Sequence, residues 1–265
     1  MPSYAIVGAS RGIGLEYVRQ LASREDSLVF AIVRNVNTAT RLQAAVQGTK
    51  NVHVLEADVA DYKSLSDAAQ VASAVSGGLL DCLIHNAARM EEDSVHKSFD
   101  SFATMDELDA DFTESFKVNA LGSIHAIQAF LPLLRASTTK KIVVISTAAV
   151  DPKFVRAIRS DRLVAYGMTK SAALIATTKW AVKLADEGFT VVSLSPGVVD
   201  VSSSMGDGEA WLAEMASTFT DAGFADMEMQ SVDQSVRAQL KVIDGMTVAD
   251  NGKFLAHTGA QWPGL

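Results

Sequence analysis

Tyr166 and Lys170 stand four residues apart in the run Tyr166-Gly-Met-Thr-Lys170. On a helix that spacing puts both side chains on one face. A free tyrosine has a pKa of about 10 and is a slow acid near neutral pH. A lysine charge beside it is expected to lower that value toward the working range. Such a pair can pass a proton to a substrate oxygen. A helix with a packed tyrosine and an exposed lysine would show the same pattern, so the surrounding residues must decide.

A second chemistry-bearing stretch lies near the start of the chain. Gly8, Ser10, Arg11, Gly12, Ile13 and Gly14 form a G-x-x-x-G-x-G turn. It follows the apolar run Tyr4 to Val7 and leads into apolar positions at helical spacing, Ile13, Leu15, Val18 and Leu21. Glycines at such a junction let the backbone approach a pyrophosphate, and the helix N-terminus offers free N–H groups. The spacing differs from G-x-G-x-x-G, and glycines also make plain tight turns. Two arginines bear on the nucleotide. Arg11 sits inside the loop, and Arg34-Asn35 follows the second apolar run, Leu28 to Val33. An acidic residue there would hold the ribose 2′-hydroxyl of NAD, whereas arginine suits the 2′-phosphate of NADP. NADP(H) is the expected cofactor; a pair of solvated surface arginines is the plain alternative.

Both stretches need elements to hold them. Further apolar runs span Val52 to Leu55, Leu79 to Ile84, Ile142 to Ile145, Phe189 to Leu194, and Phe254-Leu255. Amphipathic segments lie between them, at Thr40 to Val46, Tyr62 to Val75, Asp106 to Leu134, Val164 to Ala185 and Val232 to Ile243. The alternation predicts an α/β fold, a Rossmann-like doubly wound parallel sheet of about seven strands with helices on both faces. Continuous apolar runs fit strands covered on both sides. Nothing divides residues 1–265, so one domain is expected. Glu91 to Met105 is polar and reads as a loop over the sheet edge. Residues 201–230, rich in Ser, Gly, Met and aromatics, read as a substrate lid or as a surface insertion.

Composition narrows the function classes. The chain has 265 residues, 48% of them hydrophobic, and a formal net charge of −8. That balance disfavours nucleic acid and anionic membrane as partners. The single cysteine, Cys82, excludes an internal disulfide and reads as a buried thiol. No run approaches the roughly 18 apolar residues of a membrane helix, and no signal peptide is seen, so a cytoplasmic protein is expected. The histidines are scattered, with no H-E-x-x-H, so no metal is expected. No G-x-S-x-G elbow supports a hydrolase.

Six segments in order carry a resemblance: the glycine loop, Asn86-Ala87-Ala88, Asn119 in Val-Asn-Ala-Leu-Gly, Ser146-Thr147, Tyr166 to Lys170, and Pro196-Gly197. Together they resemble the short-chain dehydrogenase/reductase family. Within it the chain is similar to small NADPH-dependent carbonyl reductases of the sniffer-like and fungal ketoreductase branch. The resemblance implies that Tyr166 gives a proton to a carbonyl oxygen as nicotinamide delivers hydride. It implies that Lys170 also bonds the nicotinamide ribose and that Asn119 holds a relay water. It places Asp58 and Val59 at the adenine, Asn86, Ala87 and Ala88 along the cofactor, and Pro196, Gly197, Val198 and Val199 on its nicotinamide side. The substrate-binding hydroxyl falls by position to Thr147. Strand neighbours face opposite ways, so only one of Ser146 and Thr147 should reach the site, and a bulge would turn Ser146 inward instead. The segment from Asp151 to Asp161, longer than usual, is expected to shape the site mouth. The chain departs from the family pattern at Ala88, Thr147 and Val201. Valine at 201 lacks a hydroxyl that Ser202 could replace.

The expected function is NADPH-dependent reduction of a small-molecule ketone or aldehyde to an alcohol. Two alternatives stay open. One is a secondary-metabolism reductase of a bulky apolar ketone, imine or enone. The other is a catalytically silent NADP(H)-binding regulatory protein. The helices over 106–134 and 164–185 resemble those by which family members form a homodimer or homotetramer, while other members are monomers.

Overall fold

Leu28 to Val33 holds six apolar residues in succession, and every one is buried. A strand presents alternate residues to opposite faces, so such a run needs cover on both sides. The computed structural model, which describes residues 1–90, 92–202, 218 and 229–263, provides it. The strands are β1 (Ser3–Val7), β2 (Leu28–Val33), β3 (Val52–Glu56), β4 (Cys82–His85), β5 (Lys141–Ile145), β6 (Thr190–Ser195), β7 (Val199–Asp200), β8 (Gln230–Ser231) and β9 (Phe254–Ala256). Seven of them form one parallel sheet in the order β3-β2-β1-β4-β5-β6-β9, while β7 and β8 pair separately. The helices are α1 (Gly12–Ala22), α2 (Thr40–Val46), α3 (Tyr62–Ser76), α4 (Glu92–Val95), α5 (Met105–Phe116), α6 (Gly122–Ala136), α7 (Pro152–Ile158), α8 (Val164–Leu184) and α9 (Val232–Gly245).

The alternation within each strand sorts the core into two layers. Ala5, Val7, Phe30, Ile32, Leu83 and Val144 pack with residues of α3, α6 and α8. Ile6, Val29, Ala31, Ile84, Val143 and Leu194 pack with residues of α1, α2 and α9. Phe30 and Phe130 are fully buried, and burial of one such side chain stabilises by roughly 1.5–3 kcal/mol. Cys82 is a free, buried thiol in the second layer.

The chain winds outward from β1 to β3 and then returns to β4 at the other side of β1. The strand order reverses there, and ligands of such sheets bind in the crevice beyond the strand ends. Gly8, Asn86, Ser146 and Pro196 each directly follow a strand, β1, β4, β5 and β6 respectively. Four sequence-distant segments therefore meet at one edge.

Two expectations need correction. The helix expected over 106–134 is divided by a π-helical turn at Lys117–Leu121. The segment expected as loop over 91–105 contains α4 and a 3-10 turn at Phe99–Ser101, and Met105 already belongs to α5. Thr104 caps that helix by accepting the Glu107 N–H at 3.1 Å. Most of the segment expected as a lid, 203–217 and 219–228, lies outside the described residues.

Candidate active site

The glycine loop is shaped by close packing. Gly8 has φ +87°, which favours glycine. A Cβ there would lie 2.6 Å from Ala87 Cα, and one on Gly14 would overlap the Gly8 carbonyl oxygen. The Asn86 side chain donates to that same oxygen at 3.0 Å. Asn86 and Ala87 thus brace the loop from β4, and Ala88 has no positive φ, so its methyl group imposes no backbone strain. The N-cap, Arg11, makes no side-chain cap bond. The first-turn amides of Gly12, Ile13 and Gly14 are therefore left for an anion, as at any uncapped helix start. Ser10, next to them, is half-buried.

Gly8 N and Ala9 N both donate to Ile32 O, at 3.0 and 3.1 Å, which ties the loop to the end of β2. Arg34 and Asn35 follow directly. Arg11 and Arg34 are both exposed. The Asn35 side chain closes its own turn by accepting from Asn37 N at 2.9 Å. Asp58 does likewise with Ala60 N at 2.8 Å, and Val59 is buried against Gly122. The uncapped amides and the glycine cradle without side chains fit the pyrophosphate of a dinucleotide, and the guanidinium groups of Arg11 and Arg34 are exposed.

The proton-handling residues converge beyond β5 and at the start of α8. Lys170 is buried, and its Nζ donates to Ile145 O at 2.7 Å. The Thr147 side chain lies by Tyr166, where its hydrogen-bonding influence favours the ionised hydroxyl. Thr147 also caps a short 3-10 turn, accepting from Ala149 N at 3.2 Å. Ser146, its neighbour, is buried, and its Oγ has no hydrogen-bond partner among the described residues. Both candidate residues line the cavity beside Tyr166, and of the two it is Thr147 whose hydrogen-bonding influence favours the ionised Tyr166.

Charge in this cluster differs from the expectation. Burial pushes Tyr166 up to about 12, against a lowering by the Thr147 hydrogen bond. Burial pushes Lys170 down to about 8. The lysine Nζ lies 5.8 Å from the tyrosine ring centroid and spends a hydrogen bond on the Ile145 carbonyl. Desolvation therefore outweighs the lysine field at the tyrosine, which the four-residue spacing alone could not reveal.

Asn119 sits in the π-helical turn, fully buried. Its Oδ1 accepts from Arg89 N at 2.7 Å, and its Nδ2 donates to Thr169 Oγ1 at 3.0 Å. It joins the segment after β4 to the residue next to Lys170. π-Helical turns of this kind are frequent at functional sites.

Thr147 and Tyr166 line a cavity of about 560 Å³. Most of its wall is apolar: Ile13, Met90, Phe154, Leu163, Val198 and Trp262 are among its lining residues. Helix α7, within the segment expected to shape the mouth, contributes Phe154 and Ile158. Pro196, Gly197, Val198 and Val199 form the wall after β6. Gly197 has φ +81°, and a Cβ there would meet Gln230 and His257 at 2.8 Å. The Ser202 hydroxyl donates to Asp200 Oδ1 at 2.6 Å, so it is engaged away from the role a threonine at 201 would have filled.

Residue types alone gave no cause to single out Arg89, Asp111, Asp151 or Trp262, and His257 stood only as a scattered histidine. His257 lines the cavity and meets Gln230 at 2.8 Å. Trp262 and Asp151 are bonded across 111 positions. Arg89 had a local signal, as it directly follows Asn86-Ala87-Ala88, and Asp151 opens the segment expected to shape the site mouth.

A family model described as short chain dehydrogenase matches residues 3–211. The chain belongs to the short-chain dehydrogenase family. It is therefore an oxidoreductase of the kind that uses a nicotinamide cofactor. The short-chain dehydrogenase/reductase atnB of Arthrinium sp. is 37% identical over 262 residues, 98% of each chain. The NADPH-bound carbonyl reductase from chicken fatty liver matches at TM-score 0.79 and 25% identity, over 99% of this chain and 98% of that one. The carbonyl reductase Sniffer of D. melanogaster shares the fold at TM-score 0.78 and 21% identity, over 98% of each chain. Among the described residues, no helix of this dehydrogenase is long and apolar enough to cross a membrane.

Proposed function

We propose that this short-chain dehydrogenase uses NADPH to reduce the carbonyl of a bulky, apolar ketone or aldehyde to the alcohol. One observation carries the reading: the Thr147 and Tyr166 side chains line an apolar cavity of about 560 Å³, with Lys170 buried nearby. A polar pair in an apolar pocket fixes the orientation of a substrate that the pocket itself recognises by shape.

NADPH, held at the helix α1 amides, would supply the hydride needed at the carbonyl carbon. Thr147 and Tyr166 donate hydrogen bonds to the carbonyl oxygen, and Tyr166 gives up its proton as negative charge develops there. Lys170, protonated below about pH 8, stabilises the tyrosinate left behind. Asn119 keeps the π-helical turn fastened beside Thr169 and so holds the floor under Lys170. The helix α1 amides, with Arg11 and Arg34, would hold the phosphates. Asp58 and Val59 would meet the adenine, and Asn86 to Ala88 and Pro196 to Val199 would flank the remaining length.

Fluorescence titration with NADPH and with NADH, on wild type and Arg34→Ala, tests the cofactor. NADPH should bind more tightly than NADH, and the substitution should weaken NADPH by about tenfold or more through a lost charge-assisted contact. NADH binding should not change. Equal affinity for both nucleotides would remove the NADP assignment.

A homodimer is part of the same reading. Met168, Ile175 and Val182 recur at seven-residue intervals on α8 and are 56%, 58% and 72% exposed. Light scattering after gel filtration should give twice the chain mass, and Ile175→Glu should halve it.

A further inference from the structure

Part of the cavity wall comes from the chain after β9, outside the motif segments. After β9 the chain turns at Gly259, φ +87°, and doubles back on the strand. Ala256 N donates to Ala260 O at 2.8 Å, Trp262 N donates to Phe254 O at 2.7 Å, and Gln261 bridges Leu255 in antiparallel fashion. The Trp262 ring stacks on Phe254, with centroids 5.1 Å apart and planes 22° from parallel. The tail is therefore fixed by backbone and by ring, and it places the indole at the cavity.

The indole N–H continues to the other side. It donates to Asp151 Oδ2 at 3.0 Å, while Asp151 Oδ1 accepts from Lys153 N at 2.8 Å and so caps α7. One buried carboxylate both starts α7 and holds the tail. Helix α7 begins five residues after Thr147 and turns Phe154 and Ile158 to the cavity. It leaves through two non-glycine residues in the left-handed region, Arg159 at φ +49° and Leu163 at φ +61°. Such positions cost of order 1 kcal/mol each and persist only where the surroundings over-determine them. A seven-residue helix has little stability of its own, so this one must be held from outside.

We propose that Trp262 is a positioning and specificity-determining residue, whose indole latches α7 through Asp151 and whose ring closes the substrate cavity. The C-terminal tail then decides which apolar carbonyl compounds fit. This rests on the reading of the cavity as the substrate site, yet it can be tested without turnover. Trp262→Phe keeps an aromatic ring to face Phe254 and removes the N–H donor together with part of the indole's width. Trp262→Ala removes the wall as well.

Two measurements on the full chain decide it. Hydrogen exchange of the α7 amides should be about tenfold faster in Trp262→Phe than in wild type, since one tertiary hydrogen bond is lost from a locally unstable element. The ratio of Kd values for acetophenone and 2-acetonaphthone, read by ligand-observed NMR, should shift about fivefold or more in Trp262→Ala, the scale set by a change of wall volume. Unchanged α7 exchange in Trp262→Phe, or an unchanged ratio in Trp262→Ala, overturns the proposal. If wild type oxidises no NADPH with any ketone, the reductase reading fails while both of these readouts still stand.

Discussion

The Arg89 guanidinium donates to the Asp111 carboxylate at 2.6 Å, with only 14% and 8% of the two side chains exposed. Ser94 and Ser115 complete the cluster, Ser94 by bonding both partners. The same Arg89 gives its backbone N–H to Asn119. The ion pair therefore fastens the segment after β4 to α5 and, through it, sets the height of Asn119. Removing one partner of a buried pair leaves an uncompensated charge and costs about 3–5 kcal/mol. Asp111→Ala should lose stability on that scale in urea unfolding. It should also lower kcat more than it raises KM, since no Asp111 atom lines the cavity.

Ser146 and Thr147 should respond in opposite ways. Thr147→Ala removes a hydroxyl that lines the cavity with Tyr166, and kcat should fall about 10²-fold, the scale of one lost transition-state donor. Ser146→Ala removes a buried hydroxyl that has no partner among the described residues. That change should be neutral or slightly stabilising, with kcat within about threefold of wild type. Steady-state kinetics and thermal melts of both variants check the pair.

The reductive rate should hold through neutral pH and fall as pH rises through about 8. Lys170 loses its proton there because burial disfavours its charged form. Tyr166, pushed up to about 12, remains protonated across that range and stays competent as a donor. The pH dependence of kcat/KM checks this. A limb that stays at the same pH in Lys170→Met would assign it to another group.

His85 gives a stability prediction. Burial pushes it down to about 3, chiefly by desolvation and then by the Lys170 charge. Both ring nitrogens are buried without hydrogen-bond partners among the described residues. Between about pH 3 and the ordinary histidine value of about 6.5, the unfolded chain binds a proton that the folded chain does not. Stability from this group is therefore full above about 6.5 and is lost as pH falls toward 3. Melting temperatures at about pH 7 and about pH 5 should drop more for wild type than for His85→Asn. Equal drops would contradict it.

The parallel sheet was legible because Leu28 to Val33 and its counterparts are apolar on both faces and sit between segments of helical spacing. The glycine loop, Asn86 and Tyr166 were legible because each sits where a strand ends or a helix begins, and such junctions limit the residues they accept. What stayed hidden depends on contacts across long stretches of chain. The π-helical turn at Lys117–Leu121 was not read from the local sequence, and Asn119 within it accepts from Arg89, 30 positions away. Trp262 and Asp151 are ordinary residues until the tail folds back. The tyrosine's raised pKa follows from burial, which spacing does not report.

NADPH consumption with 2-acetonaphthone, followed for wild type and Tyr166→Phe beside NADPH binding by both, puts the chemistry on one atom. Both proteins should bind NADPH alike, and the variant's turnover should fall by about 10²–10⁴-fold, the range of a lost general acid. A Tyr166→Phe protein that turns over at the wild-type rate, or a wild type that binds NADPH and reduces nothing, would contradict carbonyl reduction through Tyr166.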